Sequence, residues 1–399
     1  MKKIIIGIGI FLIIALAGVW AYLLFFSTDT ADNDLFALFN FGDTTDTSVP
    51  LQNLPTLDEE PVVDVTSPGA LRQLTTNPTI GHAFVQENAS STRFIYYVEA
   101  GTGHVFSINT TTGQEERVSN ITISQAQAAV ISADGTYAAV SAGTGSLKKI
   151  TLITLPTDET SLSSVPLSEP GEELFFTSDN ELLYLTKNGT DAVAKVYNPE
   201  SESVRTVFTV PFASASVQWG VTAEATHYVY PRPSSRLQGA LYAITAGVID
   251  REPLSGFGFS MVTSGNAVLY SMRDDGEYST FTTDDGGVSV KLPEVFIPEK
   301  CIVLAESTNV FVCAKTQSSG NTLLPDDWLM GDIESRDTIK AIDISTGITT
   351  DVVDLYTETN RQFEVSNMLV DDAETGILFI NKVDRTLWFY DPTINDVGI

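Results

Sequence analysis

Short strand patterns recur along residues 80 to 390 at a nearly constant interval. Each run alternates Val, Ile, Tyr, Phe and Thr with polar residues and ends at a turn rich in Gly, Asp or Asn. The steps between successive runs are 42, 46, 45, 40, 43 and 68 residues, measured between Ile95, Tyr137, Leu183, Tyr228, Val268, Phe311 and Phe379. A period of about 40 to 45 residues predicts a repetitive all-β chain in which each repeat forms one small sheet.

The first and last segments of the repeating region complement each other. The last repeat supplies three strands, near 365–370, 377–381 and 386–390, whereas "ALRQLTTNP" at 70–78 supplies one strand without a hairpin partner. We expect Leu71–Thr75 to complete the last sheet, because this pairing removes an open strand edge. The sequence therefore predicts an all-β, seven-bladed β-propeller over residues 70–393, closed by an N-terminal strand, with a tail at 394–399.

The turns between the strands carry a family resemblance. Thr-Gly and Asp-Gly turns recur, as at Thr112-Gly113, Asp134-Gly135 and Thr346-Gly347. Together with the strand spacing over 70–393, they resemble the propeller superfamily that includes TolB-type, WD-repeat and YVTN-type repeats. The chain also resembles the uncharacterised membrane-anchored propellers of small-genome bacteria. This resemblance implies an architecture and no particular activity, and the Trp-Asp dipeptide of WD repeats is absent from the blades.

An uncharged apolar run from Ile4 to Phe26 precedes the repeat. As a helix it is about 34 Å long, enough to cross the hydrocarbon core of a bilayer. The apolar region of a cleaved signal peptide is shorter, so we expect an uncleaved signal-anchor helix. Lys2 and Lys3 before the run and acidic residues after it predict a cytoplasmic tip at 1–3 and an extracytoplasmic propeller.

Residues 27–69 are predicted to connect this transmembrane anchor to the propeller. Their second half is rich in Thr, Asp and Pro, which is typical of an extended, semi-stiff linker. The segment "DLFALFNF" at 34–41 has two interpretations. It is either an aromatic stretch at the membrane interface or a short docking helix for a membrane partner.

The excess of acidic residues limits the classes of molecule that the chain can bind. The chain has 51 acidic and 22 basic residues, a formal net charge of −29. A surface of this sign repels phosphate backbones, so we expect no nucleic-acid partner. The acidic surface either maintains solubility or attracts a basic partner.

The sequence contains no pattern that predicts a catalytic, metal or cofactor site. The three histidines, His82, His104 and His227, do not form a cluster with the spacing of a zinc site. Paired acidic residues occur in turns, but none is part of an EF-hand calcium loop. We therefore expect no cofactor, and turn chemistry explains the Asp and Gly residues of these loops.

The two cysteines flank a predicted hairpin. With a three-residue loop, Cys301 lies opposite Cys313, at a distance that a disulfide can bridge. An extracytoplasmic location permits oxidation. The alternative is a pair of buried free thiols.

The longest interval of the repeat contains an insertion, "QSSGNTLLPDDWLMGDIESR". It joins the second and third strands of its blade, on the face of a propeller that usually carries ligands. An exposed Trp328 beside Asp326 and Asp327 is suited to a protein contact. The alternative is a Trp328 side chain packed against its own blade.

These patterns predict a membrane-anchored extracytoplasmic propeller that acts as a protein-binding or scaffolding module in the cell envelope. The alternative is an envelope hydrolase or lyase with a site at the central channel. Histidine, arginine and carboxylate side chains that converge at the channel favour the enzyme, whereas Val, Ser and Thr favour the binding module.

The predicted orientation can be tested with protease. The two lysines before the apolar run place the propeller outside the cytoplasmic membrane. Protease added to intact spheroplasts should therefore digest the propeller, with a cytoplasmic protein as the control for membrane integrity. Full protection of the propeller would show that the orientation is reversed.

Overall fold

The computed structural model describes residues 70–392, apart from short gaps at 87–92, 158–159, 266, 284–286, 305–308, 319–322, 334, 372–373 and 375. The predicted cytoplasmic tip, transmembrane anchor, linker and tail lie outside these residues. Within them, the chain forms 27 β-strands and two short α-helices. No helix in this part of the chain is both long enough and apolar enough to span a bilayer.

The first part of the chain forms antiparallel four-stranded sheets, each built from strands that follow one another in sequence. Three such sheets are β2–β5, β6–β9 and β10–β13. Their strands are β2 Thr79–Gln86, β3 Arg93–Glu99, β4 Val105–Asn109, β5 Glu115–Ser119, β6 Ala126–Ile131, β7 Tyr137–Ala142, β8 Lys149–Thr154, β9 Ser163–Pro166, β10 Glu172–Phe176, β11 Leu182–Asn188, β12 Asp191–Asn198 and β13 Ser203–Val210.

The next sheet has seven strands because one long strand is shared by two sets of four strands, each of which corresponds to one of the four-stranded sheets above. The 17-residue strand β17 pairs through its first half with β16 and through its second half with β18. The register shifts between Phe257 and Ser260, where Gly258 adopts a φ of 66°. The strands are β14 Ala215–Gln218, β15 His227–Pro231, β16 Gln238–Thr245, β17 Val248–Ser264, β18 Ala267–Asp274, β19 Glu277–Thr283 and β20 Ser289–Lys291.

The last part of the chain forms two further four-stranded sheets, and the N-terminal strand completes the second of them. Helix α1, Asp326–Met330, lies between β22 and β23, and helix α2, Leu355–Thr359, follows β24. The strands are β21 Cys301–Val303, β22 Val310–Ser318, β23 Ser335–Asp343, β24 Ile348–Asp354, β25 Val365–Val370, β26 Ile377–Asn381, β27 Thr386–Tyr390 and β1 Leu71–Gln73.

Strand β1 pairs antiparallel with β27, the partner that sequence analysis assigns to it, with Leu71 opposite Tyr390. The strand has three residues, whereas the sequence predicts five. The contact nevertheless continues, because Leu74 N donates to Leu387 O at 2.8 Å and Leu387 N donates to Thr75 Oγ1 at 3.0 Å. The side chain of Thr75 thus replaces a backbone acceptor where the strand ends.

Hydrophobic clusters lie between neighbouring sheets. One cluster joins the β2–β5 and β6–β9 sheets and includes Val85 and Ile131. Equivalent clusters follow along the chain, and one of them joins the last sheet to the first through Leu74, Ile95 and Phe389. The sheets therefore pack face to face in a closed cycle, and the core is distributed among their interfaces.

The two cysteines occupy opposed positions on β21 and β22. Cys301 is the register partner of Cys313, and a disulfide joins their sulfur atoms. Both side chains are buried, in a cluster with Phe296 and Phe311. The covalent bond fixes the register of an inner hairpin whose first strand has only three residues.

The contribution of β1 can be measured by deleting Leu71–Thr75. The deletion removes several backbone hydrogen bonds at about 1 kcal/mol each and the burial of Leu74 at roughly 2 kcal/mol. This loss approaches the entire stability of a typical domain. We therefore expect the variant to aggregate or to unfold at a much lower temperature than the intact chain.

The matched control deletes five residues of the predicted linker, Asp46–Pro50. This variant should keep the melting temperature of the intact chain. Equal melting temperatures for the two deletions, measured by circular dichroism, would contradict a stabilising role for the β1–β27 pairing.

Candidate functional site

The insertion between β22 and β23 bridges distant loops at one end of the sheets. At one side of α1, Asp326 accepts hydrogen bonds from Ser234 Oγ at 3.0 Å and Ser235 N at 2.5 Å, in the loop between β15 and β16. At the other side, Lys382 Nζ, in the loop between β26 and β27, donates to Trp328 O at 2.8 Å. We define the capped face as α1 together with the loops 232–237 and 382–385.

Local backbone contacts hold α1 in place. Leu323 N donates to the Asp327 carboxylate at 2.5 Å, and Gly331, with a φ of 79°, ends the helix. Pro325 packs directly on Gly258, where an added Cβ atom would lie 2.7 Å from the proline Cδ. A side chain at Gly258 would therefore displace the helix, so this glycine permits the close approach of the insertion to β17.

Of the two interpretations of Trp328, the structure shows the packed side chain. Its side chain is only 7% exposed and packs against Tyr278, Ile297 and Ile333. The Lys382 ammonium group lies 4.8 Å from the centre of the indole ring. Because the insertion folds back onto the sheets, the indole lies beneath α1, which is the alternative that the sequence left open.

The two aspartates beside Trp328 are also used within the fold. Burial alone would raise the pKa of Asp326, but the hydrogen bonds from Ser235 and Ser234 outweigh it and lower this pKa. Asp327 accepts the hydrogen bond from Leu323. These carboxylates hold the insertion in position, and their role as partner contacts remains a proposal.

A buried ion pair lies below the insertion. The side chains of Lys300 and Asp337 are 0% exposed and form a salt bridge. Lys300 Nζ also donates to Thr316 Oγ1 at 2.7 Å, while Asp337 accepts from Ser335 Oγ at 2.9 Å and from Val365 N at 2.6 Å. Burial lowers the pKa of Lys300, and the carboxylate of Asp337 opposes this effect. The pair connects the segment before β21 to β22, β23 and β25, and a buried charge without its partner is strongly destabilising.

Glu299 precedes this lysine and has no comparable partner. Both carboxylate oxygens are buried, and neither accepts a hydrogen bond from the described residues. Burial raises the pKa of Glu299 to about 7, with Glu173 and Arg232 acting on the carboxylate in opposite directions. The group therefore titrates near neutral pH.

Two tyrosines lie within electrostatic range of Glu299. Burial raises the pKa values of Tyr230 and Tyr278, and the charge of Glu299 raises them further, so both phenols stay neutral. The hydroxyl groups of Tyr278 and Ser260 share a hydrogen bond of 3.2 Å. Ser260 also approaches the Glu299 carboxylate, but without the geometry of a hydrogen bond. We call Glu299, Tyr230, Tyr278 and Ser260 the Glu299 cluster.

A cleft of about 640 Å³ lies beside this cluster, between the β18–β19 turn and β22. Tyr278 and Ile297 line the cleft and also pack against Trp328. Arg273 and Lys315 are among its other lining residues. Its volume is within the range of small-molecule pockets.

The histidines lie apart from this site. His227 is held by Gly220 N at 3.0 Å and Ala223 O at 3.1 Å, and His104 bonds Thr122 at 3.0 Å. His82 is buried on β2, where burial lowers its pKa to about 4. Among the residues that the structure describes, no three His, Cys, Asp or Glu side chains are grouped as metal ligands.

Sequence analysis did not identify Glu299. The local signal was a Pro-Glu-Lys segment directly before a short apolar strand, where two adjacent charges precede a buried element. Their burial depends on residues far along the chain, among them Asp337 and Tyr230, which the repeat pattern does not place beside them.

Comparisons with known proteins identify the fold. No family model matches the sequence, and no curated protein matches it. The β-propeller domain of the Trilobed protease from Pyrococcus furiosus is 12% identical over 78% of this chain and 93% of its own, with a TM-score of 0.51.

Two lyases also have similar structures. Oligogalacturonate lyase from Vibrio parahaemolyticus is 11% identical over 80% of this chain and 93% of its own, with a TM-score of 0.53. A streptogramin B lyase is 12% identical over 80% of this chain and 96% of its own, with a TM-score of 0.52. At these identities the likeness extends to the fold alone. The chain is an all-β protein with a β-propeller fold, as its strand spacing and turns predict.

The raised pKa of Glu299 makes a prediction about stability. The folded protein binds more protons than the unfolded chain between the ordinary pKa of 4.5 and the folded value of about 7. The free energy of unfolding should therefore fall as the pH rises through this interval, by on the order of 3 kcal/mol, and remain low above it. In the variant Glu299→Gln this fall should be smaller and retain only the contribution of Glu173, whose pKa burial also raises, so the variant should be the more stable protein above neutral pH.

Urea denaturation at about pH 5 and about pH 8 measures the difference between the two proteins. The matched control is Glu277→Gln at the exposed edge of the cleft, which should follow the wild-type profile. Parallel profiles for wild type and Glu299→Gln would show that the carboxylate is not held in a raised-pKa environment.

Proposed function

We propose that this chain is a membrane-anchored, extracytoplasmic, seven-bladed propeller that binds a protein partner of the cell envelope through its capped face. The main support is a group of exposed apolar side chains around α1. The N-terminal apolar run supports the anchor, and the positive residues before it support the orientation. The disulfide between Cys301 and Cys313 is compatible with an oxidising compartment.

The blade count is supported by the way in which β17 is shared. Its two halves complete the set of β14–β16 and begin the set of β18–β20. Counted in this way, the described strands make seven sets of four. The clusters between consecutive sets, including the one that joins the last to the first, support the same number.

The apolar side chains of the capped face are unusually exposed. Leu237 is 65% exposed, Met330 65% and Val383 59%. They lie on three segments that the hydrogen bonds of Asp326 and Lys382 bring together. Exposed apolar side chains on adjacent loops, with polar groups around them, are typical of protein-binding surfaces.

The charge of the chain indicates what kind of partner fits. A net charge of −29 attracts positively charged proteins and accelerates their association. We therefore expect the partner to present a basic surface with an apolar segment that contacts Met330 and its neighbours.

A second candidate function is that of an envelope hydrolase or lyase. Glu299 converges with Glu173 and Arg232, which is the kind of arrangement that favours an enzyme over a simple binding module. Two proteins of similar structure are named as lyases. The binding function has the stronger support, because Tyr278 of the Glu299 cluster packs against Trp328 while the apolar side chains around α1 are exposed.

The variant Met330→Glu tests the proposed surface. A carboxylate at the centre of the apolar contact would be buried on binding, so partner affinity should fall by about tenfold or more. The measurement is crosslinking in native membranes, followed by identification and quantification of the captured proteins by mass spectrometry.

The matched control is Ile348→Glu. Ile348 is 61% exposed and begins β24, outside the capped face. The substitution Ile348→Glu adds the same charge to an equally exposed apolar position and should leave the yield of the crosslinked partner unchanged. An equal effect of the two variants would contradict the proposed surface.

A further inference from the structure

Another cavity, of about 450 Å³, opens at one end of the β6–β9 and β10–β13 sheets, beside the start of β14. Its wall comes from the turn between β7 and β8, from the segments directly before β10 and β14, and from the adjoining ends of β11 and β12. None of its described lining residues belongs to the capped face or to the cleft beside Tyr278. The cavity is therefore a separate candidate site.

Two lysines of this cavity share one carboxylate. Lys148 Nζ lies 3.5 Å and Lys187 Nζ 3.4 Å from the same oxygen of Glu172, Oε1. Among the described residues, neither lysine pairs with a second carboxylate, and Glu172 is the one acidic side chain of the lining. The lining therefore carries one more positive than negative charge, although the net charge of the chain is −29.

The neighbouring Glu173 does not remove this surplus. It is outside the described lining, and Arg232 acts more strongly on its carboxylate than Lys148 does. Burial alone would raise the pKa of Glu172, but Lys148 and Lys187 outweigh this effect and lower its pKa. Glu172 is thus ionised at neutral pH together with both lysines, and the surplus of one positive charge is present there.

A second pair of lysines in the chain shows how such an arrangement is completed. Lys315 Nζ lies 2.6 Å and Lys340 Nζ 3.0 Å from the two oxygens of Glu294. Asp351 then lies 2.8 Å from Lys340 Nζ, so that two carboxylates balance two ammonium groups. At Glu172 the described residues supply only one carboxylate, and both contacts are longer than a usual charge-assisted hydrogen bond of about 2.7 to 2.9 Å.

Both ammonium groups of the cavity can bind a further acceptor. An ammonium group has three N–H donors, and Glu172 accepts one hydrogen bond from each lysine. The side chain of Lys187 is 55% exposed and that of Lys148 is 23% exposed, so an incoming group can reach them. An anion between the two lysines would supply the second negative charge that Asp351 supplies at the other pair.

Much of the remaining wall is apolar. Leu185 and Ala192 are buried in it, and Pro170, Ala213 and Ala215 add further apolar surface. The small alanine side chains leave the space open, and the volume is within the range of small-molecule pockets. Such pockets combine an apolar lining with a few polar groups that fix the orientation of the ligand.

We propose that this cavity binds a small organic carboxylate. The carboxylate group contacts Lys148 and Lys187, and the apolar body of the ligand lies against Leu185 and the alanines. A monocarboxylate carries the single negative charge that balances the surplus of the lining. The site is separate from the capped face, so a failure of the proposed protein contact does not decide it.

Butanoate is a suitable probe, since it combines one carboxylate with a short apolar chain. Butan-1-ol lacks the charge and butylammonium reverses it, so these two compounds are the matched controls. Calorimetric titration of the full chain in detergent, corrected by titration into detergent alone, should show saturable binding of butanoate only, at millimolar concentration. Absence of saturable binding, or equal binding of the three compounds, would overturn the proposal.

The variant Lys187→Gln locates the site. It removes one of the two ammonium groups and should weaken butanoate binding by about fivefold or more. The matched control is Lys291→Gln, outside the cavity, because Lys291 is 51% exposed and also pairs with one carboxylate, that of Asp274 at 3.2 Å. This control should keep the affinity of the wild type. Equal affinities of Lys187→Gln and Lys291→Gln would overturn the proposal.

The variant Glu172→Gln should change the affinity in the opposite direction. It removes the carboxylate that competes with the ligand for both lysines, so butanoate binding should become about fivefold tighter. A gain of affinity cannot result from partial unfolding of the variant. Unchanged or weaker binding by Glu172→Gln would show that the two lysines do not hold the ligand.

Discussion

The pairing of β1 with β27 is the constraint on which the rest of the fold depends. Without β1, the sheet of β25–β27 would present an unpaired strand edge, and the cluster around Leu74, Ile95 and Phe389 would lose part of its burial. Because hydrophobic clusters join each sheet to its two neighbours, an opening at this point would expose part of the last sheet and part of the first. A strand of three residues therefore stabilises a cycle that extends over the whole described chain.

The closed cycle of sheets holds the loops of the capped face in place. Asp326 reaches a loop of the seven-stranded sheet, and Trp328 accepts a hydrogen bond from a loop of the last sheet. The fully buried pair of Lys300 and Asp337 connects the elements below. Helix α1 can thus hold a defined position, since its contacts come from sheets that the closure already fixes.

The spacing of the strands predicted the fold because the repeated apolar positions lie on strands that their neighbours cover. All the residues that measure the period, from Ile95 on β3 to Phe379 on β26, lie on the second strand of a set. Four of them, Ile95, Leu183, Phe311 and Phe379, are fully buried there. The Glu299 cluster could not be predicted in this way. Its groups come from β15, β17, β19 and the segment before β21, and the burial of a charged side chain depends on contacts across these elements. The two interpretations of Trp328 stayed open for the same reason, since its exposure depends on how the insertion folds.

The long strand β17 also determines where the chain could be opened. At the other described junctions between sets, a loop connects the outer strand of one set to the inner strand of the next, and a circular permutation there would place new termini in a loop. Within β17 the two sets share a continuous backbone, so a cut near Phe257 would divide a strand that pairs on both sides. The two sets joined by β17 therefore form a single mechanical unit, which neither an inserted domain nor a shifted terminus can separate without breaking hydrogen bonds in both.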